Sequence, residues 1–217
     1  MPAVFVNLTL NDAVYLFLGA LNTLMLTAAA LMTGIPLAIL FGLGRTSRRT
    51  WLVRVLELVA DITRTVPLII QFIVVQSAIA LNGIPTNPFV SGLIVLSLYM
   101  AVYGGELVSA GIEAVSPRLR RAARSLGMTE FQDLRHVVLP IGLRAILPSL
   151  AGLIGGLLKD TSLVAVIGYI DLLHAGQIVI NRTQEPLLVL IGVGLVYFIL
   201  CYPVARFSER FEREGTK

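Results

Sequence analysis

The chain has 217 residues and a formal charge of +4, and 56% of it is hydrophobic while only 14% is charged; its mean hydropathy is +0.85. A soluble domain is about half apolar with roughly a quarter of its residues charged, so this balance excludes an ordinary water-soluble fold and describes an all-α membrane protein. The excess positive charge sits between apolar runs, where it reports topology; no nucleic-acid partner is implied.

The first residues, MPAVFVNLTLND, hold no Lys or Arg and an Asp at position 12, whereas a cleaved signal peptide needs a basic start and a cleavage site. The first apolar run is therefore expected to be retained. Residues 13–44, 65–105 and 186–205 carry no charge, and about 20 predominantly apolar residues suffice for one crossing. The 65–105 run is too long for one and is divided by NGIPTNP at 82–88, a Gly and Pro turn. With a further apolar stretch after the polar middle of the chain, five spans are expected in one domain, 1–217, at approximately 15–43, 62–82, 89–111, 143–166 and 186–206. Gly34, Ile35 and Pro36 allow a kink in the first. Between the first and second, residues 51–64 mix Glu57 and Asp61 with arginines and read as an amphipathic stretch in solvent or at headgroup level.

An odd number of spans puts the termini on opposite sides. Lys and Arg number five in 45–64, six in 118–144 and four in 206–217, against Arg182 alone on the other side. Cytoplasmic loops are enriched in these residues, so the N-terminus is expected outside and the C-terminus in the cytoplasm.

Ionisable and polar groups inside the spans are the candidates for solute contact. At about 1.5 Å per residue, Asp160 lies roughly 18–24 Å into the fourth span, past the middle of a core about 30 Å thick. A charge there is costly and should face protein or water. Asp160, with Thr161 and Ser162, is expected to hold the ammonium group of a solute; alternatively Lys159 snorkels outward and Asp160 pairs with it or caps a helix break. Glu106, near the cytoplasmic end of the third span, either contacts solute or pairs with an arginine. Gln71 and Gln76 can bond a polar solute or a neighbouring helix. Gly152, Gly155 and Gly156 give the fourth span a small face, read as close helix packing.

Catalytic chemistry has little material. His136 and His174 have no Cys cluster beside them, Cys201 is the single cysteine, and neither lysine, Lys159 or Lys217, follows a Gly. A metal site, a disulfide within the chain and a phosphate-binding Gly-Lys loop are all unsupported. If ATP drives transport here, another polypeptide must hydrolyse it.

The polar middle, RAARSLGMTEFQDLRHVVLP at 121–140, is punctuated as two helices. Ser116 and Pro117 start one, with Leu119, Ala122, Ala123 and Leu126 at helical spacing, and Gly127 ends it. Thr129 and Gln132 form a capping-box pair for a second, which Pro140 is expected to limit. By composition alone this is a basic amphipathic element on anionic headgroups.

Its spacing also resembles the signature of bacterial ABC importer permeases: Glu-Ala-Ala, three residues, Gly, nine residues, then Ile-x-Leu-Pro. Here Arg121-Ala122-Ala123 is followed by Gly127 and by Val137-Val138-Leu139-Pro140. DITRTVPLIIQ at 61–71, GGELVSAGI at 104–112 and LLKDTSLVAVIG at 157–168 are similar, in order, to further blocks of the five-span permeases for polar amino acids. Arg121 departs from the family Glu and reverses its charge; Thr65-Val66 and Ser109-Ala110-Gly111 replace the family's Gly-Thr and Arg-Gly-Gly.

The resemblance implies a type I ABC importer transmembrane-domain fold in the bacterial cytoplasmic membrane, translocating a polar amino acid by alternating access. An opine, ectoine or cystine-like solute is the alternative cargo, and a passive channel or secondary transporter the alternative mechanism. It implies a second permease chain, identical or homologous, two ATPase subunits carrying ATP and Mg, an extracytoplasmic binding protein and surrounding lipid. This chain itself would bind no cofactor. Helices within about 117–138 would dock on the ATPase, through Arg121, Ala122, Ala123, Leu126 and Gly127, with Leu139 and Pro140 closing the motif.

Overall fold

A computed structural model describes residues 8–47 and 49–215, with side chains to residue 209. Among them the elements are helical: α1 (Leu10–Arg45), α2 (Thr50–Thr65), α3 (Leu68–Leu81), α4 (Pro88–Glu113), α5 (Pro117–Ser125), α6 (Glu130–Asp133), α7 (Leu139–Asp160), α8 (Leu172–Thr183) and α9 (Pro186–Gly215). A π-helical turn, Leu134–Val138, joins α6 to α7, and a 3-10 helix, Thr161–Ile167, follows α7. Among the described residues, four helices are long and apolar enough to cross a membrane, or five if α2 and α3 count as one broken span.

Two compact units can be distinguished, one from the described part of Met1–Met32 with Val66–Leu96 and Gly156–Pro203, the other from the described parts of Thr33–Thr65 and Val204–Lys217 with Ser97–Gly155. In the first, α8 is built into the core. Its Leu172 and Val179 are buried with Ala20 of α1 and Val189 and Val193 of α9. A Cβ added at Gly19 would stand 2.8 Å from Ala175 Cβ, so the missing side chain is what lets α8 approach α1 so closely. The 3-10 helix packs on α3, and Phe72 of α3 is fully buried.

In the second unit, α4 crosses α1 on small residues. A Cβ at Gly42 would lie 2.6 Å from the Gly105 carbonyl oxygen, and Ser109 Oγ donates to the Gly42 carbonyl at 3.1 Å. Phe41, Ala60 and Val102 form the core where α1, α2 and α4 meet.

Local chemistry explains where these elements differ from the expected spans. The expected start of the second span, residue 62, falls inside α2. Val66 precedes Pro67, and a residue before proline is pushed out of the helical region, so the helix breaks there and α3 begins afresh at Leu68. Pro140 does not stop the second cytoplasmic helix: Glu130–Ile167 forms one continuous helical run. The amide of Leu139 bonds to the Leu134 carbonyl across the wide π turn, which loosens the bonding register just where Pro140 has no N–H to give. Pro36 likewise lies inside a continuous α1.

Among the described residues, this chain supplies no close packing at Gly152, Gly155 and Gly156. Among the described residues no atom lies within 4 Å of a Cβ built on Gly152 or Gly156, and at Gly155 the nearest is Val204 at 3.6 Å. Close approach falls instead at Gly34, Gly42, Gly104 and Gly105, and between Gly111 and Gly142.

Candidate functional site

The polar helix pair is held by caps at both ends and by ion pairs between its members. Ser116 Oγ accepts from the Leu119 amide at 3.2 Å, with Pro117 in the first turn. At the other end Gly127 takes φ +85°, the Met128 amide reaches the Ala123 carbonyl at 3.3 Å and the Gly127 amide reaches that of Arg124 at 3.0 Å. These two bonds are a Schellman motif, which needs a residue free to adopt left-handed φ. Thr129 and Gln132 complete the capping box, Thr129 N donating to Gln132 Oε1 at 2.9 Å and Gln132 N to Thr129 Oγ1 at 3.3 Å.

Arg120 Nε donates to Asp133 Oδ2 at 3.0 Å, and Arg124 pairs with Glu130 at the same distance. Asp133 is fully buried, and its other oxygen has no hydrogen-bond partner among the described residues. Arg120 is thus the group that compensates a buried carboxylate. Outward, the pair shows Arg121, Ala122 and Gly127, with Leu126 83% and Phe131 68% exposed. Ala123, expected on this face, is buried and serves the fold through its carbonyl. Leu139 and Pro140 lie exposed at the start of α7. A cleft of about 580 Å³ beside the pair is lined by Thr46, Glu113, Arg120, Arg121 and Arg124, so its character is basic.

The candidate solute residues fall into both units. In the first, Asp160 is the last residue of α7 and is half-buried. Thr161 is buried and donates to the Leu158 carbonyl at 2.7 Å, and Ser162 donates to that of Lys159 at 2.7 Å. Both hydroxyls therefore turn back to satisfy the end of α7, where carbonyls lose their helical donors. Gln71 Nε2 donates to the Val66 carbonyl at 2.8 Å, across the break before α3. The helix that carries Gln71 packs on the 3-10 helix that starts at Thr161, so these elements are brought together. Gln76 accepts a hydrogen bond from Ser91.

In the second unit Glu106 is paired with Arg45 at 3.0 Å and with Arg64, whose guanidinium also stands 6.0 Å from the centre of the Tyr103 ring. The ion pair weighed for Glu106 is therefore present, with two arginines on one carboxylate. The group keeps a net positive charge and is about one-third exposed.

One polar cluster escaped the sequence reading. Asp171 caps α8, accepting from the Leu173 and His174 amides at 3.1 and 2.9 Å and from the Tyr197 hydroxyl at 3.1 Å. Thr23 Oγ1 accepts from the Leu172 amide at 3.1 Å, and Asn22 exchanges bonds with Ile170 and Tyr169. Burial pushes the Asp171 carboxyl above its ordinary range, against the amide bonds that pull it down. The available signal is an Asp directly ahead of apolar residues at helical spacing. Among the described residues no group of three or more His, Cys, Asp or Glu could hold a metal ion.

The described residues thus combine long apolar helices with a capped, ion-paired polar knob and polar groups at helix breaks, an arrangement that fits a membrane transport subunit. Residues 34–214 match the family described as the binding-protein-dependent transport system inner membrane component, and the chain belongs to that family. It is 31% identical to a probable amino-acid ABC transporter permease of Sinorhizobium fredii, over 92% of this chain and 86% of that one. It is 28% identical to the glutamine transport system permease protein of Escherichia coli, over 90% of each. A crystal structure of an amino acid ABC transporter with histidines superposes with a TM-score of 0.86 at 28% identity, covering 99% of this chain and all of that one. The type I ABC importer transmembrane-domain fold is thus the fold observed, and the chain is an inner-membrane transport subunit.

Proposed function

We propose that the chain is the transmembrane subunit of an ATP-driven importer for a polar amino acid, with its N-terminus outside and its C-terminus in the cytoplasm. The observation that carries this reading is similarity over 90–92% of this chain to amino-acid permeases, on a chain that also holds the capped helix pair at 116–133. ATP and Mg belong to two separate ATPase subunits, and this chain binds no cofactor. A second permease chain completes the pathway, and an extracytoplasmic binding protein delivers the solute.

The ATPase docks on Arg121, Ala122, Leu126, Gly127 and Phe131, and closure of the ATPase dimer drives α5 and α6 as a lever that biases a two-state bundle. Their caps and ion pairs supply the stiffness such a lever needs. Leu139 and Pro140 set where it joins α7. Asp160 and Ser162, with Gln71 on the helix packed beside them, contact the solute, Asp160 facing its ammonium group, while buried Thr161 shapes the helix break and Glu106 is left to its ion pairs with Arg45 and Arg64.

Proteoliposomes holding the full set of subunits test the whole reading. ATP-dependent accumulation of a labelled amino acid is expected, whereas uptake indifferent to ATP and to vanadate overturns it in favour of a channel or secondary transporter. For the site, Asp160→Asn is expected to weaken uptake about tenfold or more with assembly intact, the order of one lost charge-assisted hydrogen bond. Unchanged uptake kinetics remove Asp160 from the pathway.

A further inference from the structure

The helix α2 presents three distinct sectors around its axis. Leu52, Leu56, Val59, Ala60 and Thr63 face the protein, where Ala60 and Thr63 are buried and Leu56 and Val59 pack on Phe41 and Val102. Beside them runs a bare apolar stripe, Trp51, Val55, Leu58 and Ile62, each half or more exposed. These four recur at helical spacing and so line one side. The remaining sector, Arg54, Glu57, Asp61 and Thr65, is polar and exposed.

A helix in water needs two sectors, one packed and one polar, and a membrane span needs no polar one. Three sectors fit a helix with protein on one side, hydrocarbon on the second and water on the third. Its packing has the same implication. From Leu52 to Arg64 is about 18 Å at 1.5 Å per residue, and the contacts of this stretch include Phe41 and Gly44 on α1 and Val102, Tyr103 and Glu106 on α4. Contacts grouped on short segments of both neighbours are the pattern expected of a helix laid across them.

We propose that α2 is an in-plane membrane helix, its Trp51 stripe seated at the headgroup–acyl boundary of a phospholipid bilayer. Arg49 and Arg54, both exposed near Trp51, face lipid phosphates. Tryptophan and arginine together are the side chains that this boundary favours, one apolar with a polar edge and the other snorkelling to phosphate. On the packed face a groove of about 360 Å³, lined by Leu40, Phe41, Gly44, Leu52, Leu56 and Leu98 among others, offers acyl chains an apolar wall. A second copy of the chain is a poorer occupant. Four such side chains expose on the order of 400 Å², about half of the roughly 800 Å² each partner buries in a stable protein interface.

Trp51 is the only tryptophan in the chain, so its fluorescence reads this helix without any mutation. The full-length chain is reconstituted in phosphatidylcholine–phosphatidylglycerol vesicles carrying bromine either near the carbonyl or near the chain end. Quenching is expected to be about twofold or more stronger for the shallow bromine, at all protein-to-lipid ratios. Strongest quenching by the deep bromine overturns the proposal and makes α2 part of a span. Quenching only by aqueous iodide overturns it in favour of a water-facing helix. Lipid quenching that appears only when the chain is diluted in lipid overturns it in favour of a second copy. None of these outcomes depends on transport, so failure here is separable from failure of the proposed function.

Discussion

The two short helices α5 and α8 are anchored in opposite ways. Both start from a side-chain cap, Ser116 in one and Asp171 in the other. Helix α8 is held along its length: its Leu172, Ala175, Gly176, Val179 and Thr183 are buried, and its cap is shared with Tyr197 of α9. Helix α5 is held at its ends and by two ion pairs, and of its nine residues only Ala123 is buried. A helix fixed along its face is part of the core. One fixed at its ends keeps a face free for another protein while still transmitting force, and this division is what a coupling element requires. Substitutions in α8 should accordingly be felt in stability, and substitutions in α5 and α6 in energy coupling.

The sharpest test of that division is Asp171→Ala. It removes the α8 cap, about 1 kcal/mol, and leaves the Tyr197 hydroxyl short of an acceptor in a half-buried setting, about 1–3 kcal/mol more. Thermal unfolding of the purified chain in detergent should show a lower midpoint, and an unchanged one would mean that α8 is not core. Arg120→Ala comes next. It strands the buried Asp133 carboxylate, which costs several kcal/mol when a pair is fully buried, reduced to about 2 kcal/mol here because the Arg120 side chain is one-third exposed. Because the loss is confined to the junction of α5 and α6, ATP hydrolysis by the assembled complex should continue while uptake per ATP falls. Restoration of coupling by the double variant Arg120→Ala with Asp133→Asn would identify the stranded charge as the cause, and coupled uptake unaffected in Arg120→Ala would break the comparison.

The same contrast separates what could be read from the sequence from what could not. Helix α5 and the start of α6 were legible residue by residue, because caps are local: Ser116-Pro117, Gly127 and the Thr129–Gln132 box act through neighbours three to five positions away. Asp160 and Glu106 were visible as charges in apolar runs, and the pairing of Glu106 was one of two open readings. Its partners Arg45 and Arg64 were not legible, since they lie on different helices, 61 and 42 positions away. The helix α8 was missed because its residues are buried by Ala20, Val189 and Val193, contacts that no local pattern records. The glycines behave in a related way. A small face at 152–156 looks the same in sequence whether or not a neighbour approaches it, and in this chain the approach occurs at Gly42 and Gly105.

The smallest expected effect is also the most specific. Nothing in the described residues lies within 4 Å of a Cβ placed on Gly127, so Gly127→Ala meets no steric obstacle and acts only through φ +85°. A non-glycine residue in that region costs about 1–2 kcal/mol, which falls on the Schellman turn between α5 and α6 and not on the core. Gly127→Asn should cost less, because asparagine tolerates left-handed φ. If the turn serves as a stiff joint, uptake per ATP should rank wild type above Asn above Ala while the unfolding midpoint stays within a few degrees. Equal loss in Asn and Ala would instead point to a side chain obstructing the docked ATPase, since both add a Cβ to a surface that is now bare. A ranking by backbone strain supports α5 and α6 as a lever, and a ranking by size reduces Gly127 to a contact point.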